Sequence, residues 1–140
     1  MVEIWQACAS GRYDHPRDSN PASLDPNFQY WGRALTDAAG AYRFKSVKPG
    51  AYPFAPDWTR PPHVHCRVAA PGFPLLITQM YFEGEDLNAR DRILQGLSLS
   101  QRRLVTAAFD PVRGDRDRLA GRFDVVIGTP GAARVTPELD

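Results

Sequence analysis

Apolar residues recur at every second position in several short runs of this chain, and proline or glycine cuts most runs before a helical period can develop. Residues 2–7 put Val2 and Ile4 on one face and Glu3 and Trp5 on the other, which predicts a strand. Residues 11–28 are polar and rich in Asp, Asn and Pro, and predict a long surface loop. Residues 32–36 and 41–47 flank the turn-forming Asp37-Ala38-Ala39-Gly40 and predict a β-hairpin, with Tyr42 and Phe44 on one face of its second arm. After the turn signal Lys48-Pro49-Gly50, residues 52–62 read as a proline-rich loop. A strand then carries His63 and His65, and a mostly apolar, buried strand spans residues 75–82 with the polar Gln79 inside it.

The spacing of Ile93, Leu97, Leu104, Val105 and Ala108 predicts one short helix, with Ser100 as N-cap of its second part. Residues 110–121 look charged and irregular, and residues 122–127 predict a closing strand with Phe123, Val125 and Ile127 on one side. The sum is an all-β fold, a β-sandwich with long loops and one short helix. Residues 1–127 form the domain, and residues 128–140 are expected to be a flexible tail.

Composition narrows the function classes. The chain has 140 residues, the size of one domain, and 17 Lys+Arg against 16 Asp+Glu leave a formal net charge of +1, too small to draw a polyanion. Neither nucleic acid nor a membrane is expected as a partner, because no apolar run approaches the roughly 20 residues that cross a bilayer. The start, Met1-Val2-Glu3-Ile4-Trp5, has no signal-peptide pattern, so the expected location is cytoplasmic. Cys8 and Cys66 read as free buried thiols, and thirteen prolines with eleven glycines favour turns and short strands.

The stretch from Gly50 to Val68 concentrates the candidate chemistry. On a strand, His63 and His65 leave the same face, as two neighbouring metal ligands would. The same pattern also occurs as a hydrogen-bonded histidine pair with no metal. His15 is the remaining histidine, and no carboxylate follows the pair at the spacing of a two-His, one-carboxylate iron site. A phenolate is a hard anionic donor suited to a trivalent cation, which makes tyrosines the next candidates. Spacing alone does not select Tyr13 and Tyr52 over Tyr30, Tyr42 or Tyr81.

The chain resembles the intradiol ring-cleavage dioxygenases, and within them the iron-bearing β-subunit type. The likeness rests on Val-Glu-Ile-Trp-Gln-Ala at 2–7, Gly-Arg-Tyr-Asp-His at 11–15, Leu-Asp-Pro-Asn-Phe at 24–28, Lys-Pro-Gly-Ala-Tyr-Pro at 48–53, Arg-Pro-Pro-His-Val-His at 60–65 and Thr-Gln-Met-Tyr-Phe at 78–82. It runs in order from residue 2 to about residue 127. The resemblance implies a β-sandwich with ferric iron, Fe(3+), held by Tyr13, Tyr52, His63 and His65, with Tyr52 and His65 as the axial pair. It further implies that Arg60 stabilises charge on the substrate ring, Gln79 holds the substrate, and Tyr52 doubles as a base. His15, Phe54 and Trp58 are expected near the pocket, with plain packing the simpler role for the last two.

The reaction implied is opening of a catechol, protocatechuate or a similar one, between its two hydroxyl-bearing carbons with O2, in aromatic compound catabolism. Relatives reach the 2–7 segment after an earlier strand, so an N-terminal edge strand of the sandwich is expected to be missing here or supplied elsewhere, and a homo- or hetero-oligomer is expected. The loop between Tyr52 and His63 is slightly shorter than in such relatives, and Phe54 stands where a larger aromatic is common; both bear on substrate choice. Two other classes remain open at this stage. One is a catalytically weak or silent sandwich subunit of a hetero-oligomeric dioxygenase; the other is a zinc hydrolase using His63 and His65, for which no third strong ligand is evident.

Overall fold

The computed structural model describes residues 1–128. Its main sheet has the order β2-β1-β5-β6-β7, with β1 Val2–Trp5, β2 Trp31–Ala34, β5 His63–Val68, β6 Leu76–Phe82 and β7 Thr106–Ala107. Between them lies a small hairpin, β3 Tyr52–Ala55 with β4 Trp58–Arg60. A 3-10 turn, Asp86–Arg90, leads into α1 Arg92–Gln95 and α2 Leu99–Val105, and a second hairpin pairs β8 Phe109–Val112 with β9 Asp115–Gly121. The expected tail lies outside the described residues, apart from Gly128.

Strand register explains how one sheet can hold both a core and a polar site. Val2, Val68 and Leu76 form one cross-strand row, and Ile4, Cys66 and Thr78 the next; Val64 pairs with Met80. This face is apolar and packs as the core, with Phe82 and Ala107 extending it. Side chains one residue away point to the opposite face. There Glu3 faces Arg67, with a 3.0 Å ion pair, Trp5 faces His65 and Gln79, and His63 faces Tyr81. β1 is an interior strand, paired with β2 on one side and β5 on the other.

The covering layer departs from the expectation in its hydrogen bonding. Tyr42, Phe44, Val125 and Ile127 pack on the Val2, Val68 and Leu76 cluster, and Phe109 and Phe123 on its neighbour. The burial pattern inferred for 41–47 and 122–127 is therefore met, yet neither segment joins a ladder. Alternation reports which side chains are buried, not whether the backbone has a neighbour. The expected hairpin reduces to its turn: Asp37 Oδ1 accepts from Ala39 N and Ala41 N, and Asp37 N donates to Ala41 O.

Three local expectations need correcting. The proline-rich 52–62 segment is a hairpin, not a loop, because a two-stranded ribbon has free edges where a proline forfeits no ladder bond. Residues 110–121 belong largely to the β8–β9 hairpin; β9 is exposed almost throughout, so no burial alternation marks it in the sequence. The helical run is divided into α1 and α2, and α2 is capped by Ser98, not Ser100. Ser98 Oγ accepts from Gln101 N, and the Gln101 side chain accepts from Ser98 N, a reciprocal capping box.

Candidate metal and active site

Four side chains converge on the polar face. His63 and His65 stand two residues apart on β5, with ring centroids 4.9 Å apart. Tyr52 opens β3, directly opposite Arg60 on β4, so the small hairpin delivers a phenol and a guanidinium together. Its ring lies 5.7 Å from that of His63. Tyr13 comes from the long loop after β1, and its Oη lies 3.3 Å from His63 Nε2. The Tyr13 ring meets Tyr52 edge-on at 5.3 Å and His65 at 6.1 Å. All four residues are buried.

The Tyr13 loop is anchored by a close crossing of two backbone segments. Cys8 O accepts from both Gly11 N and Gly50 N, each at 2.9 Å. A Cβ at Gly50 would meet Ala9 O at 2.4 Å, and one at Gly11 would meet Ala51 O at 2.2 Å, so glycine is required on both sides. Asp18 then tightens the loop by accepting from Tyr13 N at 2.6 Å. By contrast, Tyr42 donates to Phe123 O, and the Tyr30 hydroxyl accepts from Asp25 N. Tyr81 belongs to the Arg60 network described below.

The histidines have complementary hydrogen-bonding states. His63 Nδ1 lies 2.7 Å from Pro61 O, which can only accept, so Nδ1 carries the proton and Nε2 presents a lone pair to Tyr13 Oη. His65 stacks on Trp5 at 4.8 Å with 7° between the planes, and both of its ring nitrogens are buried without a hydrogen-bond partner among the described residues. An imidazole buried without partners costs free energy that a bound cation would offset. Burial, and then the positive charge of Arg60, pushes His63 down to about 3. Burial also drives His65 well below the usual histidine range, with His63 and Arg60 adding to it. Both phenols are raised, chiefly by burial; the neighbouring Tyr52 oxygen lifts Tyr13 further, while Arg60 partly offsets the shift at each.

Two neutral imidazoles and two phenols, which would have to lose their protons to bind a metal, make a donor set suited to a hard trivalent cation. Among the described residues no group of three or more His, Cys, Asp or Glu side chains could hold a metal, which leaves the zinc reading without a third ligand.

Beside this cluster, Arg60 is buried and held through its Nε and Nη2. Its Nε donates to Asp91 Oδ2 at 3.0 Å, and its Nη2 donates to Gln79 Oε1 at 2.7 Å and Tyr81 Oη at 2.8 Å. Trp58 lies against the guanidinium, with Cζ 5.6 Å from the ring centroid. Burial alone would lower the Arg60 pKa, but Asp91, with Tyr81 and Tyr52, holds it above its usual value. Of the other residues expected nearby, Phe54 packs on Tyr52 and Trp58 at the rim, whereas His15 lies exposed with Nδ1 accepting from Arg17 N.

The sequence reading missed Asp91 and Tyr81. Asp91 accepts from Leu94 N as the cap of α1, and an Asp just before a helical run is a capping signal. Nothing in its spacing reveals the partner thirty-one residues upstream.

The Dioxygenase family model matches residues 1–129. The protocatechuate 3,4-dioxygenase beta chain of Burkholderia cepacia is 44% identical over 131 residues, covering 91% of this chain and 56% of that protein. The catechol 1,2-dioxygenase of Candida albicans is 33% identical over 94 residues, covering 58% of this chain and 30% of that protein. The crystal structure of catechol 1,2-dioxygenase from Acinetobacter radioresistens superposes with a TM-score of 0.69 over 99% of this chain and 50% of that one; at 23% identity it speaks for the fold. The chain thus spans about half the length of the first of these relatives and about a third of the second. No helix among the described residues is long and apolar enough to cross a membrane. With an all-β fold and a family match along nearly its whole length, this chain belongs to the intradiol ring-cleavage dioxygenases.

Proposed function

We propose that this chain is the catalytic part of a non-haem ferric dioxygenase that opens a catechol, protocatechuate or a close analogue, between its hydroxyl-bearing carbons with O2. For protocatechuate the product would be 3-carboxy-cis,cis-muconate. The observation that carries the reading is the convergence of two buried phenols and two buried imidazoles, with Tyr13 Oη at 3.3 Å from His63 Nε2 and both His65 nitrogens lacking partners among the described residues. Tyr13, Tyr52, His63 and His65 would hold Fe(3+), whose chemistry is to draw electron density from a bound catecholate and make its ring reactive to O2.

The protein's own residues do the rest. Tyr52, in its phenolate form, would accept a catechol hydroxyl proton at its Oη and become a neutral phenol. Arg60 presents a permanent positive charge to the negative charge that develops on the ring. Gln79 Oε1 must accept from Arg60, because a guanidinium only donates, so Nε2 is left as the free donor and can hold a substrate oxygen. Burial of His63, His65 and Gln79 keeps water from competing for these contacts.

Association with further subunits, of the same or another kind, belongs to this proposal. The outer edge of β2 has no pairing strand among the described residues, and Trp31 on it is 53% exposed, which supports an interface there.

The test is the visible spectrum of the chain loaded with ferric iron, before and after anaerobic addition of protocatechuate. The expected result is a broad tyrosinate-to-iron band, burgundy in colour, that shifts when substrate binds. A colourless iron-loaded sample would overturn the four-ligand assignment, and a coloured sample with no ring opening in air would favour a silent subunit.

A further inference from the structure

We infer that Asp91 and Tyr81 are positioning residues: together they lock the Arg60 guanidinium and fix the Gln79 amide with its carbonyl turned to Arg60 and its N–H groups left free. The inference rests on the proposed ring-opening reaction, and it assigns a task to two residues outside the metal ligand set.

The geometry forces most of the network. Asp91 meets Arg60 through Oδ2 to Nε at 3.0 Å and Oδ1 to Nη2 at 3.4 Å, which fixes the plane of the guanidinium as well as its place. Tyr81 Oη accepts from Arg60 Nη2 at 2.8 Å, and its single proton has two acceptors in reach, Gln79 Oε1 at 2.9 Å and Asp91 Oδ1 at 3.1 Å. Gln79 Oε1 therefore accepts from Arg60 Nη2 and lies within reach of the one Tyr81 proton, which Asp91 Oδ1 can also accept. A flipped amide would set Nε2 against the N–H groups of Arg60, so the orientation is determined by chemistry.

The free Gln79 Nε2 is buried with no partner among the described residues, an arrangement that costs stability unless something else accepts from it. Gln79 lies opposite His65 in register, and Tyr81 opposite His63, so the network and the donor cluster share one face of the sheet. Asp91 is itself anchored as the cap of α1, and Leu94 and Val105, from α1 and α2, pack against Tyr81. The helical segment thus serves as a rigid mount that holds a strand residue and a hairpin residue in one orientation. Trp58 covers a face of the Arg60 guanidinium, and Arg92 lies over the same indole while its Nη2 donates to Asp57 at 2.6 Å, tying the hairpin to α1.

The experiment compares the full wild-type chain with Tyr81→Phe and Asp91→Asn. Tyr81→Phe keeps the ring in its packing site and leaves Arg60 paired with Asp91, so it tests the idea even if Asp91→Asn folds poorly. Both are expected to bind ferric iron at wild-type stoichiometry and show the same resting visible band. Turnover should fall about tenfold or more, with KM changed less than about threefold, because alignment in the transition state is lost and ground-state binding is not. Turnover within twofold of wild type in a folded, iron-loaded Tyr81→Phe would overturn the inference, as would a loss carried by KM alone.

A second readout does not depend on activity. In the chain loaded with diamagnetic gallium(III), the Nε–H nuclear magnetic resonance signal of Arg60 should be sharp and slow to exchange, and should broaden or exchange faster in both variants. An unchanged signal in both overturns the positioning role. If the wild-type chain opens no catechol ring, the functional reading fails at that step, and the catalytic purpose of the network falls with it. The Arg60 signal still decides whether the lock exists.

Discussion

Replacing Asp91 with alanine should be among the most damaging single changes in this chain. The carboxylate is 0% exposed and Arg60 1% exposed, so the substitution leaves a guanidinium buried with no counter-charge among its partners. Gln79 Oε1 and Tyr81 Oη stay in place, but both are neutral acceptors. Breaking a buried pair from one side typically costs about 3–5 kcal/mol. Asp91 also accepts from Leu94 N at 2.8 Å as the cap of α1, and losing such a cap costs about 1 kcal/mol more. The combined loss, about 4–6 kcal/mol, is comparable to the whole stability of many single domains. Urea unfolding read by tryptophan fluorescence suits the test, since Trp58 lies against the affected guanidinium. With a slope of about 1–3 kcal/mol/M, the midpoint should drop by roughly 1–6 M, or the variant should be unfolded without denaturant. A midpoint within about 0.5 M of wild type at an unchanged slope would refute the reasoning, because it would mean that Arg60 finds compensation elsewhere.

Acid should destabilise the metal-free protein well above the carboxylate range. His63 titrates near 3 when folded and near 6.5 when unfolded, so the unfolded chain binds the extra proton and stability falls by about 1.4 kcal/mol for each pH unit below about 6.5. His65 shifts in the same direction, and unfolding midpoints that do not change between pH 7 and 5 would contradict both assignments. Tyr52→Phe should alter the visible band of the iron-loaded protein and slow substrate binding in stopped-flow absorbance; an unchanged spectrum would place the ligand at another tyrosine. Gly50→Ala puts a Cβ at 2.4 Å from Ala9 O and 2.6 Å from Gly11 N, contacts that backbone must yield to. It should cost about 1–3 kcal/mol and lower iron content by moving Tyr13 from Tyr52; wild-type stability and iron content together would show that the crossing can relax.

The sequence by itself determined the elements whose signal is local. Alternation in His63-Val64-His65-Cys66-Arg67-Val68 is enough to set two imidazoles on one face and apolar side chains on the other, because a strand turns successive residues to opposite sides. The same logic marked β1, a mostly apolar run marked β6, and the Asp37 turn was legible from its residue types. The short motifs around Tyr13 and Tyr52 pointed to both phenols only through family likeness, since a tyrosine in a loop has no periodic signature.

Tertiary structure alone decided how these parts meet. Tyr13 reaches the histidines because Gly11 and Gly50, far apart in the chain, allow two backbones to cross almost in contact. Arg60 acquires its counter-charge from Asp91 across a helix junction, and Tyr81, one of several tyrosines on equal terms in the sequence, becomes the hydroxyl that joins Arg60 to Gln79. Such pairings link residues whose separation bears no relation to a helical or strand period, so neither hydrophobic pattern nor spacing encodes them. They arise when burial removes water and each polar group must find the partner that the packed chain has brought within reach.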